Sequence, residues 1–418
     1  MDTQGRCDSR HGWAVIGATF MTLVCTYGAW YSYSVFLVAL LREFGWTRSV
    51  VAGAFSLFLV VQGFLAPLAG WLLRKIGPRR SVLAGGIVVG AALLLAAETT
   101  EWWHLYIAFG GIFAAGMSLA GWIPAVVLVW GWFPHRVSTM VGVASAGIGI
   151  GVLGVVPLAQ FLIEQVGWRW AYRALAVLVM GWTIPATLGL IRDPSAAVGG
   201  GVPPLGLGSE GQADSPVAWT LAGALRSARF WRLAGVFFTG SYVTQMLMIH
   251  QVAYLVDHGV TAMTAATVSG VGGLMSIVGK LGWGVLSDRT SREMTYALGF
   301  GCVLGSIGAL VLAGASRTPL SLFLFSVLVG LGFGVLGPVT SAASSDLFGG
   351  PGFPTIFGVL FGIMCLGMGS GTWSAGDLFD RTGSYAVALW VGAAMAILSP
   401  VLLWLAAPRR PNPPPAPR

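Results

Sequence analysis

Apolar residues run along this chain in long unbroken stretches, divided by short polar breaks and without alternation inside them. A continuous run of about 20 apolar residues crosses the hydrocarbon core as a helix, whereas membrane strands alternate over about ten residues. Twelve stretches are long enough, at roughly 12–38, 50–73, 80–99, 103–130, 137–162, 169–191, 230–256, 262–286, 293–314, 319–345, 353–376 and 384–407. The pattern predicts an all-α membrane protein with twelve transmembrane helices, and it excludes a soluble fold and a β-barrel. One segment, 193–228, breaks the rhythm with Pro194, Gly199, Pro203, Pro204 and Pro216, and reads as a flexible linker between two six-helix bundles, 1–192 and 229–407. The tail 408–418 is rich in proline and arginine and is expected to be disordered.

Composition agrees: 56% of residues are hydrophobic and 9% charged, against about 25% charged in an ordinary soluble domain. The net charge of +8 invites a nucleic-acid reading, but its placement argues for orientation in a lipid bilayer. Sixteen of the 23 basic residues fall in the N-terminus, the even-numbered loops and the C-terminus, and six in the opposite loops. Positive-inside bias then predicts a multi-pass protein of the cell (inner) membrane with both termini cytoplasmic. The polar run Met1–His11 leads into an apolar stretch too long for a cleavable signal, so the first span is expected to persist. Four cysteines, Cys7, Cys25, Cys302 and Cys365, give no disulfide framework. The sequence carries no metal-ligand cluster, no phosphate-binding glycine loop with lysine and no Ser-His-Asp pattern, so no cofactor, no enzyme activity and no ATP-driven pump are expected.

The halves repeat each other. Gly45 in Phe44-Gly45-Trp46-Thr47 precedes Gly70 by 25 residues, and Gly259 in His258-Gly259-Val260-Thr261 precedes Gly284 by the same interval. Phe133-Pro134 with Gly142, Gly147, Gly149 and Gly151 matches Phe353-Pro354 with Gly362, Gly367, Gly369 and Gly371. Small residues let membrane helices approach closely, and repeated halves around a midplane site are the architecture of alternating-access carriers. Prolines within spans (Pro67, Pro124, Pro157, Pro185, Pro338) supply bends for such rocking or fit ordinary packing.

One basic residue remains after loops, tails and helix ends are counted. Lys280 sits well inside the eighth span. An ammonium in the bilayer costs a few kcal/mol even on lenient scales, so intramembrane cations line cavities or face partners. Lys280 therefore reads as a cation kept for an anion that comes and goes, with snorkelling toward headgroups as the competing reading.

The loop after the second span, Gly70-Trp71-Leu72-Leu73-Arg74-Lys75, and the one after the eighth, Gly284-Val285-Leu286-Ser287-Asp288-Arg289, resemble the loop signature of the major facilitator superfamily. Asp288 and Arg289 match it; Arg74 stands where the family has an acid. The resemblance implies that Gly70, Arg74, Gly284, Asp288 and Arg289 brace the inward-closed state. Tyr27-Gly28-Ala29-Trp30-Tyr31 in the first span, Trp132-Phe133-Pro134-His135-Arg136 in the fifth and Lys280 four residues before Gly284 look like the monocarboxylate transporter family and its bacterial relatives, including oxalate/formate-type antiporters. That likeness, over about 12–407, implies proton-coupled movement of small monocarboxylates such as lactate and pyruvate. Animal members carry an arginine at the Lys280 position, an aspartate at Ser276 and a lysine at Tyr31, so the proton acceptor here is expected elsewhere.

His250, Tyr254 and Asp257 share one helical face near the outer end of the seventh span, as an acid, a phenol and an imidazole suited to a proton relay or an outer gate. Packing and a solvated helix end are their ordinary alternatives. At about 1.5 Å per residue Lys280 lies ~10 Å from the inner end of its span, too deep for direct contact with Asp257. Tyr27, Tyr31, Ser145, Phe333 and Cys365 are the candidate neutral lining of a small-anion pocket. The expected function is proton-coupled symport of a small monocarboxylate by a monomer, with organic-anion exchange as the alternative.

Overall fold

The computed structural model describes residues 10–133, 137–193, 219–348 and 353–406. Twelve helical spans follow one another: α1 (His11–Phe44), α2 (Arg48–Ile76), α3 (Pro78–Ala97), α4 (Trp102–Val129), α5 (Val137–Val166), α6 (Trp168–Gly189), α7 (Ala228–Asp257), α8 (Ala262–Arg289), α9 (Arg292–Ser316), α10 (Pro319–Phe348), α11 (Phe353–Thr382) and α12 (Ala386–Ala406). Connections are short except between α6 and α7, where the expected linker falls largely outside the described residues, as does the tail beyond 406. Below, the base is the face where α1 begins and α12 ends, and the apex is the opposite face.

Eleven of these spans are apolar enough on composition alone to cross a bilayer. The twelfth, α7, carries Thr239, Ser241, Thr244, Gln245, His250 and Gln251, yet it is buried without interruption from Thr239 to Leu255. Its polar groups face protein and not lipid, which is why low hydropathy does not disqualify it. The lipid-facing role falls to helices such as α6 and α12, which expose Val177, Leu188, Trp390, Ile397 and Trp404.

Two helices depart from regular winding. In α1 the Ser32 hydroxyl bonds back to the Gly28 carbonyl at 2.7 Å, and the helix breaks there between Tyr31 and Tyr33. In α4 a π-helical stretch, Tyr106–Phe113, gives way to a break at Gly121. π-Bulges and side-chain insertions of this kind are the usual causes of kinks in long helices.

The bundles meet through α2 against α11, α5 against α8, and the upper part of α1 against α7. Glycines allow the close approach. A Cβ on Gly273 of α8 would stand 2.5 Å from Val152 of α5, and one on Gly376 of α11 would stand 2.9 Å from the Arg48 and Ser49 backbone of α2. Toward the base the same helices part: Gly70, Gly142, Gly282, Gly284 and Gly362 have open space where a Cβ would go. Phe64, Leu68, Leu281 and Val285 are exposed there. The molecule is closed at its apex and open at its base.

The α8–α10 crossing is the tightest constraint on the interior. A Cβ on Gly334 would stand 2.7 Å from the Lys280 backbone nitrogen, and one on Gly279 would stand 2.9 Å from the Leu331 carbonyl. The Trp283 indole also donates to the Leu331 carbonyl at 2.9 Å. Gly334→Ala should therefore cost about 1–3 kcal/mol by overpacking, whereas Gly282→Ala, in open space, should be neutral or stabilise by about 0.5–1 kcal/mol. Thermal unfolding of the two purified variants checks this; equal shifts would mean that the crossing is looser than described.

Candidate functional site

Lys280 lies on α8 directly at that crossing, half-buried and clear of both helix ends. Side chains on a helix lean toward its N-terminus, and α8 starts at the apex, so the lysine stem points apically into the space between the bundles. Its Nζ lies 5.7 Å from the centroid of the Phe333 ring on α10. Phe333 meets Tyr31 of α1 edge to face, with centroids 6.3 Å apart. Tyr31 stacks on Trp30, and Trp30 on Tyr27. Lys280 makes no ion pair and no hydrogen bond among the described residues. An ammonium facing the Phe333 ring, which in turn meets Tyr31 of the opposite bundle, is a site that can take a carboxylate.

The other predicted pocket residues divide. Tyr27, Tyr31, Phe333 and Lys280 form one chain of contacts. Cys365 lies over Gly63, where α11 crosses α2, and its Cβ is 3.0 Å from where a glycine Cβ would stand. Ser145 is half-buried and donates to the Gly142 carbonyl of its own helix at 2.8 Å. No contact brings Ser145 or Cys365 to Lys280 among the described residues.

A second cluster closes the apex. The Arg48 guanidinium holds both oxygens of Asp257, at 2.8 and 2.6 Å, and donates to the Tyr385 hydroxyl at 2.7 Å. It also lies 3.9 Å from the centroid of Phe379. Asp380 accepts from the backbone N–H groups of Arg48 and Ser49 at 2.9 and 2.7 Å. These are orphan donors at the positive end of α2, where Thr47 supplies no side-chain cap, so a carboxylate from the opposite bundle caps the helix. Arg48 and its helix end belong to the first bundle; Asp257, Asp380 and Tyr385 belong to the second. The two bundles are thus clasped by charge as well as by packing.

His250 completes the chain. One ring nitrogen is 2.8 Å from the Thr372 carbonyl and the other 2.9 Å from the Tyr385 hydroxyl. A carbonyl can only accept, so Nε2 carries a proton, and a neutral imidazole then accepts at Nδ1 from the Tyr385 O–H. Burial pushes the Tyr385 phenol up from its ordinary value, which keeps it a donor. Tyr254, on the same stripe, stacks on His258 and lies 5.9 Å from Tyr385 between ring centroids. His250 and Tyr254 meet Tyr385, and Asp257 meets Arg48; these partners, with Asp380, were not anticipated from sequence. One signal was available: Arg48 is among few basic residues on the apical side and immediately opens a span.

Of the loop residues, Arg289 is exposed and Gly70 and Gly284 stand open; the side chains of Arg74 and Asp288 lie outside the described residues. Arg79 donates to the Thr187 and Leu188 carbonyls, and Arg292 to Ser287, so each loop is tied within its own bundle. Asp257 and Lys280 are not in contact, as the depth count required.

Residues 19–349 match the family model described as Major Facilitator Superfamily. Among curated relatives, monocarboxylate transporter 13 of Bos taurus is 27% identical over 93% of this chain and 88% of its own length. Monocarboxylate transporter 3 of Rattus norvegicus is 26% identical over 96% and 80%. Monocarboxylate transporter 2 of Homo sapiens is 23% identical over 95% and 85%.

The clasp is partly buried, with side-chain exposures of 12% for Arg48 and 32% for Asp257. Asp257→Asn should weaken the closed apex by about 1–3 kcal/mol, raising the labelling rate of Ser49→Cys by a membrane-impermeant maleimide roughly fivefold or more. Labelling that stays slow would show that packing alone keeps the apex shut.

Proposed function

The chain belongs to the Major Facilitator Superfamily, and on that premise we propose that it is a proton-coupled symporter of a small monocarboxylate, working by alternating access. The observation that carries this reading is Lys280: a half-buried ammonium inside a span, facing Phe333, whose ring meets Tyr31 of the opposite bundle. One cation balances one carboxylate, which favours a monocarboxylate over a dicarboxylate such as oxalate. The names of the relatives support the same substrate class. The concentration of basic residues at the base supports a cytoplasmic base, and on that orientation the described state is inward-open.

The apical clasp supplies the coupling step. While it is closed, Arg48 binds both oxygens of the Asp257 carboxylate. Opening outward separates Arg48 from Asp257 and removes Asp380 from the α2 N-terminus, so both acids face the outside solution. A proton taken there, with Asp257 favoured, neutralises the acid while the anion neutralises Lys280. Two cancelled charges lower the barrier to closing around the substrate. Return to the inward-open state rebuilds the Arg48–Asp257 pair.

The test is counterflow and uptake in proteoliposomes with labelled lactate, pyruvate, formate and oxalate. An inwardly directed proton gradient, acid outside, should accelerate lactate or pyruvate uptake, and Lys280→Gln should abolish it while the folded protein elutes normally. Uptake indifferent to the gradient would reject proton coupling. Normal affinity in Lys280→Gln would remove the lysine from the site.

A further inference from the structure

At the base of the second bundle, exposed tryptophans stand beside arginines that no acid answers. Trp231 lies in the first turn of α7 and Trp404 in the last turn of α12, 60% and 58% exposed. The two helices touch just inside: a Cβ on Gly235 of α7 would stand 2.8 Å from Leu402 of α12. Nearer the base, Arg232 donates through Nη1 to the Leu405 carbonyl at 2.8 Å. That carbonyl sits where α12 runs out of intrahelical donors, so a cation suits it. The Trp231 indole donates to the Leu225 carbonyl at 2.9 Å, which ties the ring to the short segment leading into α7.

The arginines have capacity left over. A guanidinium carries a fork of N–H donors, and the Leu405 bond uses only one of those on Arg232. Arg229 precedes Arg232 by three positions, so the two are neighbours on the surface of α7. Both are exposed, and neither forms an ion pair among the described residues. Other cations at the base are engaged within the protein: Arg79 on the Thr187 and Leu188 carbonyls, and Lys75 at 4.0 Å over the Trp71 ring. Beside the arginines α12 presents an apolar stripe. Trp390, Ile397, Val401 and Trp404 are all exposed, at intervals of seven, four and three residues that keep to one helix face. At about 1.5 Å per residue Ile397–Trp404 covers ~10 Å, within the ~15 Å hydrocarbon depth of one leaflet. Tryptophans so placed sit at headgroup level.

We propose that the base end of the α7–α12 seam binds an anionic phospholipid of the adjoining leaflet. Arg229 and Arg232 hold its phosphodiester, and its acyl chains lie along the Ile397–Trp404 stripe. Guanidinium forks match phosphate oxygens two at a time, whereas a zwitterionic headgroup brings a cation that the arginines repel. Basic pockets between helices beside an apolar, tryptophan-edged surface are suited to such headgroups. The Arg232 bond to the end of α12 holds one arginine in place before the lipid arrives, which reduces the ordering that binding costs. The proposal needs only that the protein spans a bilayer; it is independent of substrate and of proton coupling.

The test titrates the full-length protein in nonionic detergent with phosphatidylglycerol and, separately, phosphatidylcholine, and reads the lipid-bound fractions by native mass spectrometry. The wild type should prefer phosphatidylglycerol. Arg229→Gln with Arg232→Gln should lower that affinity about tenfold or more and leave phosphatidylcholine binding as it was. Arg80→Gln with Arg192→Gln removes the same charge from exposed positions at the base of the first bundle and should change it by less than about twofold. A misfolded variant loses both lipids together, so the phosphatidylcholine arm separates folding from recognition. Equal losses in the two double variants would mean diffuse attraction to a basic face and overturn the site. A wild type that binds both lipids alike overturns it too, as does inorganic phosphate that displaces phosphatidylglycerol at comparable concentration, the mark of a free-anion site.

Discussion

A positive charge has no place in hydrocarbon unless something else answers it, and that constraint organises this molecule around Lys280. The position is fixed from below by glycines: α8 and α10 touch backbone to backbone at Gly279 and Gly334, so the lysine can neither slide nor turn toward lipid. From above it meets Phe333 and, through that ring, Tyr31 of the opposite bundle. Ring faces attract a cation, but by about 0.5–2 kcal/mol, which does not replace a counterion in a low-dielectric interior. The site is therefore poised for an anion and unfavourable without one, the condition a carrier needs if its empty and loaded forms are to differ in their freedom to rock.

The apex solves the complementary problem of holding two bundles together while leaving them able to separate. Apolar packing alone gives little preference between protein and lipid partners, because lipid tails are as apolar as leucine. Charge supplies the difference. Asp380 meets the exposed amides of Arg48 and Ser49, and the Arg48 side chain meets Asp257 and Tyr385. Every member of the clasp crosses from one bundle to the other, and each is an ordinary solvated group once the apex opens. Such contacts are stable when closed and have a good alternative when open, which suits a switch better than a permanent seam.

Much of this was legible in the order of residues. Continuous apolar runs gave the helices, and common glycine spacing in both halves gave the pseudo-symmetry. Of the residues singled out as a pocket, Lys280, Phe333, Tyr31 and Tyr27 lie along one run of contacts through Trp30, and Ser145 and Cys365 make none to Lys280 among the described residues. The clasp was hidden because its parts are each unremarkable: an arginine beginning a helix, an aspartate ending one, a tyrosine in a three-residue loop. Only packing of residues 332 positions apart, as between Arg48 and Asp380, makes them one unit. The polar content of α7 reads in sequence as a weaker span, and in three dimensions as a span enclosed by protein.

The central claim is that a substrate carboxylate binds against the Lys280 ammonium, and a distance measurement addresses it directly. The chain has two lysines, Lys75 and Lys280, so Lys75→Arg protein labelled with 15N-lysine reports from one ammonium alone. Solid-state NMR dipolar recoupling in liposomes with 13C-carboxyl lactate should find the carboxyl carbon about 3–4 Å from Nζ, the separation of a charge-assisted hydrogen bond. Bound lactate whose carboxyl carbon shows no coupling to that nitrogen within about 6 Å, beyond any direct contact, would contradict the account.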